Sequence, residues 1–183
     1  MLYTGKGDDG TMKTINSGVR VSKSSAISEA LGSMDEINSF LGICKVKSAE
    51  EKLKLGEKNI SDIVHNIQQT LFIIQAELAG SDKRVDEGKV LEMESIIGEI
   101  EKILPPITTF FISGGTELGA IFDVARTIAR RAERRVVQVN REEVQKVDPV
   151  TLKYLNRLSS ILYALARLTN HLSGIKEEPP SYK

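Results

Sequence analysis

The chain has 183 residues, of which 40% are hydrophobic, which suits one ordinary domain with a substantial core. Lys plus Arg and Asp plus Glu are both 25, so no long-range basic field draws the protein toward nucleic acid or an anionic membrane, and any anion site is local. The single cysteine, Cys44, excludes an internal disulfide, and with His65 and His171 it matches no zinc spacing.

The first residues, MLYTGKGDDGT, lack a basic stretch followed by an apolar run. No segment approaches the roughly 18 consecutive apolar residues of a membrane span, so a soluble cytoplasmic protein is expected. Residues 1–22 read as a glycine-rich loop, with Thr4-Gly-Lys-Gly-Asp-Asp-Gly-Thr11 placed before any helical pattern. Gly5, Gly7 and Gly10 spell G-x-G-x-x-G, but no strand precedes them and no helix opens on them, so the dinucleotide fold is rejected. Such glycines still let backbone N–H groups approach an oxyanion closely, with Lys6 and Lys23 nearby in sequence. A flexible, turn-rich arm fits the same residues.

Helical periodicity begins after residue 22. Ile27, Ala30, Leu31, Met34, Ile37 and Leu41 follow steps of three and four, as do Ile60, Ile63, Val64, Ile67, Leu71, Ile74 and Leu78. The polar stretch Ser48 to Asn59 reads as the long connection between these two helices. A third helix is expected from about Asp86 to Leu104, stopped by Pro105-Pro106. After Gly114-Gly115, a fourth should start near Thr116, and a fifth should run from about Pro149 to Ser173. Residues 174–183 read as an unstructured tail. The expected fold is all-α, a single domain comprising the loop, a five-helix bundle over 23–173 and the tail.

The fourth helix carries the chemistry. Val124 to Arg135 reads VARTIARRAERR, five arginines among small and apolar residues. Arginine presents a planar fork that grips phosphate or carboxylate in a way lysine cannot. At about 100° per residue, Ile121, Phe122, Ala125, Ile128, Ala129, Ala132 and Val136 face the core. Arg126, Arg130 and Glu133 fall at one border of that arc, while Arg131 and Arg135 fall toward the other. The first helix bears a stripe of small residues, Ser24, Ser28, Gly32, Ser39 and Gly42, interrupted by Asp35, a carboxylate costly to bury without a cation opposite. The fifth has a polar line of Asn156, Ser160, Tyr163 and Arg167. Phe110 and Phe111, shortly before Gly114-Gly115, would suit an apolar wall for a large flat ligand. Taken as residues alone, these patterns also fit a non-catalytic trimeric helical scaffold, or an RNA-binding bundle using the basic helix.

The stretches YTGKGDDGT, GSMDEINSFLG, QQTLFIIQAELA, FFISGG, ARTIARRAERRVV and YLNRLSSILYALAR, in this order and spacing, resemble the PduO-type ATP:cob(I)alamin adenosyltransferases over nearly the whole chain. The resemblance implies a five-helix bundle assembling as a homotrimer with active sites between subunits. It implies transfer of the 5′-deoxyadenosyl group of ATP, accompanied by Mg²⁺, to cob(I)alamin. It further implies that Thr4, Gly5, Lys6 and Gly7 wrap the triphosphate, and that Lys23, Arg130, Arg131, Glu133, Arg134 and Asn156 bind ATP. Asp35 and Arg126 would form an ion pair across the subunit boundary and, with Arg130, serve catalysis. Phe110 would sit against the lower face of the corrin. A cobalamin reductase and an adenosylcobalamin-dependent enzyme would be partners. Lys6, Met12 and Ser113 depart from the residues usual in the family at those positions.

Overall fold

The computed structural model describes residues 2–13 and 18–182; Met1, residues 14–17 of the expected loop, and Lys183 at the end of the expected tail lie outside them. The described residues form five helices and two small antiparallel hairpins. The all-α bundle expected from periodicity is therefore the architecture. The helices are α1 (Ala26–Glu50), α2 (Ile60–Leu78), α3 (Glu87–Glu101), α4 (Glu117–Arg141) and α5 (Pro149–Leu172).

Local chemistry sets the helix starts. Ser25, Asp86, Thr116 and Asp148 are N-caps whose side chains accept from the backbone N–H of Ser28, Gly88, Gly119 and Val150. Pro149 occupies the first turn of α5, where its missing N–H is no loss. α3 stops three residues earlier than the sequence suggested, and Leu91 and Ile103, apolar residues within the expected span, are exposed.

α4 and α5 pack along their lengths, with α1 on the other side of α4. Lys47 pairs with Glu117 at one end of the α1–α4 contact, and Arg135 lies 3.9 Å from Glu29 at the other, so the two helices run antiparallel. The core is continuous, from Ile37 and Leu41 of α1 through Phe122 and Ala129 of α4 to Leu158 and Leu162 of α5, all at 0% exposure. Cys44 belongs to it, and burial pushes its thiol up to about 12. A maleimide at pH 8 is accordingly expected to leave the native protein unlabelled and to modify Cys44 once denaturant is added; native labelling would contradict this packing.

Three stretches differ from expectation. The N-terminal loop contains a hairpin, β1 (Thr11–Lys13) on β2 (Arg20–Ser22), with Met12 opposite Val21. The connection after α1 is shorter than Ser48 to Asn59, because α1 continues to Glu50 and the rest forms a second hairpin, β3 (Lys54–Leu55) on β4 (Lys58–Asn59). The tail has no regular structure but is bonded to the body of the protein: the Ile112 N–H donates to the Glu178 carbonyl at 2.8 Å, and Glu177 pairs with Arg167.

Candidate active site

The glycine loop is built by turns and by one arginine. Asp8 N–H donates to the Gly5 carbonyl and Gly10 N–H to the Gly7 carbonyl, with Gly5 and Gly10 in the left-handed region at φ +67° and +75°. Lys23 Nζ donates to the Gly7 carbonyl at 2.8 Å, so closely that a Cβ on residue 7 would meet Nζ at 3.0 Å. Arg20 donates to the Lys6 carbonyl, to Thr11 Oγ1 at 2.6 Å and to Asp9 Oδ1 at 3.3 Å. Hydrogen bonds from Thr11, then the Arg20 charge, hold the Asp9 carboxyl below its ordinary range. The Thr4 hydroxyl accepts from the Lys6 N–H at 3.4 Å. Met12 packs its sulfur 2.8 Å from the Ser28 hydroxyl at the start of α1.

The arginines of α4 separate as the helical projection requires. Arg131 bonds Glu36 and Arg135 approaches Glu29, both on α1. On the α5 side, Arg130, Glu133, Arg134 and Asn156 line one cavity of about 570 Å³, in which Asn156 Nδ2 donates to Glu133 Oε1 at 3.1 Å. A neighbouring cavity of about 640 Å³ is lined by residues 107–113, including Phe110, Phe111 and Ser113, and by Asp123, Arg126, Arg130 and Tyr163. Arg130 belongs to both walls. It has no ion pair among the described residues, so its guanidinium is uncommitted. Phe110 is 79% exposed, so its ring is presented and not packed away.

Arg126 sits between Asp123, whose Oδ1 is 3.1 Å from Nε, and the ring of Tyr163, 5.8 Å from the guanidinium carbon. Asp123 went unnoticed in the sequence, although its D-x-x-R spacing on a helix was available as a signal. Burial raises the Tyr163 phenol above its ordinary range. Asp35 is exposed on α1 and makes no ion pair within the chain among the described residues. Gly32 and Ser39 of the same stripe are also exposed, and a Cβ at Gly32 would meet nothing within 4 Å. Among the described residues, no hydrogen bond or ion pair joins the glycine loop to Arg126, Arg130, Glu133, Arg134 or Asn156. The expected nucleotide residues thus fall in three places: the loop with Lys23, the α4–α5 cavity with Arg130, Glu133, Arg134 and Asn156, and Arg131 apart from both, paired with Glu36 on the α1 side.

The fold and site define an all-helical protein that sets an aromatic-walled cavity beside a cationic one. Residues 2–169 match the cobalamin adenosyltransferase family. The chain is 35% identical over 178 residues to the corrinoid adenosyltransferase of Bacillus subtilis, with 95% of this chain and 89% of that one covered. It is 34% identical over 177 residues to the corrinoid adenosyltransferase PduO of Citrobacter freundii, covering 93% of this chain and 50% of the relative, and so spans about half the length of that longer protein. A phenylalanine-to-alanine variant of the PduO-type ATP:corrinoid adenosyltransferase from Lactobacillus reuteri, complexed with cobalamin and ATP, superposes with a TM-score of 0.86 at 29% identity, over 98% of this chain and 99% of that one. An arginine-to-lysine variant of the same enzyme, complexed with ATP, gives 0.85 at 30% identity over 98% and 100%. The chain belongs to the cobalamin adenosyltransferase family.

Proposed function

We propose that this protein transfers the 5′-deoxyadenosyl group of ATP to cob(I)alamin, giving adenosylcobalamin and triphosphate. The observation that carries the reading is Arg130 on the wall shared by the aromatic and the cationic cavities. A flat corrin against Phe110 and a polyphosphate among Arg130, Arg134 and Asn156 would meet at that residue. The corrinoid adenosyltransferase activity of the relatives, and the cobalamin and ATP in the structural neighbours, support this function. No observation favours the scaffold or RNA-binding readings.

Cob(I)alamin is already a strong nucleophile, so the protein needs no general base. In the reaction the cobalt–carbon bond forms as the bond from C5′ to the bridging oxygen breaks. Cobalt passes formally from +1 to +3, and the electron pair leaves with triphosphate. The task of the residues is to hold C5′ in line with cobalt and to stabilise charge growing on the departing oxygen. Arg130 is placed for the second role, with Arg134, Lys6 and Lys23 adding positive charge and the loop amides hydrogen bonds. Glu133 and Asn156, already bonded to each other, set the shape of the nucleotide cavity.

Among the described residues no cluster of three or more His, Cys, Asp or Glu side chains could hold a metal ion. Mg²⁺ commonly takes only one or two carboxylates, together with substrate phosphates. Glu133 and Glu142 line the cationic cavity and suit that mode, with the ion arriving on ATP. When bound it would neutralise part of the triphosphate charge.

We further propose a homotrimer in which a neighbouring subunit completes each site. The separation of the glycine loop from the Arg130 cavities supports this, as does the exposed stripe of Gly32, Asp35 and Ser39 on α1. Asp35 would then meet Arg126 of the adjacent subunit, joining Asp123 around one guanidinium. A cytoplasmic setting, a cobalamin reductase and an adenosylcobalamin-dependent enzyme belong to the same reading. Among the described residues no helix is long and apolar enough to cross a membrane.

The test is anaerobic incubation with ATP, Mg²⁺ and chemically reduced cobalamin, followed by absorption spectroscopy. A light-sensitive adenosylated product is expected; none would reject the function. Phe110 has a separate signature. If its ring keeps the lower axial ligand off cobalt, bound cob(II)alamin with ATP present is expected to give a four-coordinate EPR spectrum that is lost in Phe110→Ala. An unchanged spectrum would discard that role.

A further inference from the structure

Arg167 of α5 is a buried cation, only 4% exposed, at the base of the loop that carries Phe110. It makes three contacts. Its Nε donates to Glu177 Oε2 at 2.8 Å, its NH2 group to the Pro105 carbonyl at 3.3 Å, and its guanidinium carbon lies 5.1 Å from the centroid of the Phe111 ring. The first reaches the C-terminal tail, and the other two reach the loop. The tail closes the circuit at a second point, where the Ile112 N–H donates to the Glu178 carbonyl at 2.8 Å. Loop residues 105, 111 and 112 are thereby tied to α5 directly and through the tail, on both sides of Phe110.

The loop has little else to hold it. It has no regular structure, follows Pro105-Pro106, and ends in Gly114 and Gly115 at φ +129° and +100°, backbone that only glycine adopts without strain. Most of its side chains are exposed. At its far end Asn170 takes over, accepting from Thr116 N–H and donating to the Gly114 carbonyl. A buried arginine demands a partner, because its charge is costly to leave unpaired away from water. Among the described residues Glu177 is its only ion-pair partner, and the polar line on α5 ends on this residue for a reason the nucleotide site does not supply.

We propose that Arg167 and Glu177 are positioning residues for the corrin half of the reaction: the tail is a strap, and this ion pair fixes the Phe110 loop at the distance that the corrin requires. The proposal rests on the adenosyltransferase reading. The pair belongs to the aromatic cavity, and neither residue lines the cavity of Arg134 and Asn156. Loss of the pair should therefore be felt by cobalamin and not by ATP.

The experiment uses the full chain and three variants, Glu177→Ala, Glu177→Asp and Arg167→Lys. KM is measured separately for ATP and cob(I)alamin, with the EPR spectrum of bound cob(II)alamin recorded in the presence of ATP. Glu177→Ala is expected to raise the KM for cob(I)alamin at least tenfold and to diminish the four-coordinate signal, with the KM for ATP within twofold of wild type. Glu177→Asp, which keeps the charge, should recover part of both. Arg167→Lys keeps a cation but loses the planar fork, and should follow Glu177→Ala. Should Arg167→Lys fail to fold, the tail substitutions Glu177→Ala and Glu177→Asp decide, with circular dichroism to establish folding because the Glu177 side chain is only 15% exposed. If the wild type makes adenosylcobalamin and Glu177→Ala matches it in cobalamin KM and spectrum, or raises both KM values in parallel, the strap is overturned and the enzyme reading survives. A wild type that makes no product overturns both.

Discussion

Arg130→Ala is expected to lower kcat/KM by about a hundredfold or more, equivalent to about 3 kcal/mol of transition-state stabilisation, while the bundle stays folded. The expectation follows from where the guanidinium is and from what it does not do. Arg126 is engaged by Asp123 and Tyr163, Arg131 by Glu36, and Arg135 by Gln138 and Glu29. Arg130 is exposed on the wall of both cavities, and its removal breaks no ion pair among the described residues. Its fork can act on the bridging oxygen only as negative charge develops there, so the loss should fall mainly on kcat. Arg130→Lys tests the fork against the charge: a point cation on a flexible stem should recover only part of the rate. The measurement is steady-state kinetics under anaerobic conditions, with circular dichroism to establish folding. A variant within threefold of wild type would remove Arg130 from the mechanism.

The helices were legible in the sequence because their signals are local. Thr116 before Glu117, Asp148 before Pro149 and the core stripe from Phe122 to Val136 each need only neighbours a turn away. The split of the arginines between two borders of α4 was legible for the same reason, as a property of 3.6 residues per turn. What was not legible depends on contacts distant along the chain. Arg20 reaches back across fourteen residues to the loop, and nothing in its neighbourhood announces that. The tail reads as polar and proline-containing, hence unstructured, yet Glu177 and Glu178 find Arg167 and Ile112 in space. Asp123 is the intermediate case: D-x-x-R is a local signal, but only its burial at 9% exposure separates it from an ordinary surface pair.

Glu77→Ala should give the largest loss of stability, about 3 kcal/mol, with catalysis per folded molecule nearly unchanged. Glu77 lies at the end of α2 with 0% exposure, a carboxylate inside the bundle. Its Oε1 accepts the Asp148 N–H at 2.7 Å, and its Oε2 accepts the Thr151 hydroxyl at 2.6 Å, while Arg84 Nε stands 3.6 Å away. The carboxylate thus satisfies donors in the first turn of α5, where the positive end of the helix dipole also favours it. Alanine would leave the Thr151 hydroxyl, itself at 0% exposure, and the Asp148 amide without an acceptor, and would open a cavity. For a chain of this size that corresponds to a fall in Tm of roughly 6–12 °C, compared at one protein concentration because assembly would shift the midpoint. Glu77→Gln should lose less, since the amide oxygen still serves one donor while its NH2 faces the other. The site lies elsewhere: neither cavity flanking Arg130 includes Glu77. Arg130→Ala and Glu77→Ala should therefore separate cleanly, one losing rate at constant Tm and the other losing Tm at constant rate. A Tm for Glu77→Ala within 2 °C of wild type would mean that water or a neighbouring side chain takes over the donors of α5, contrary to the packing described above.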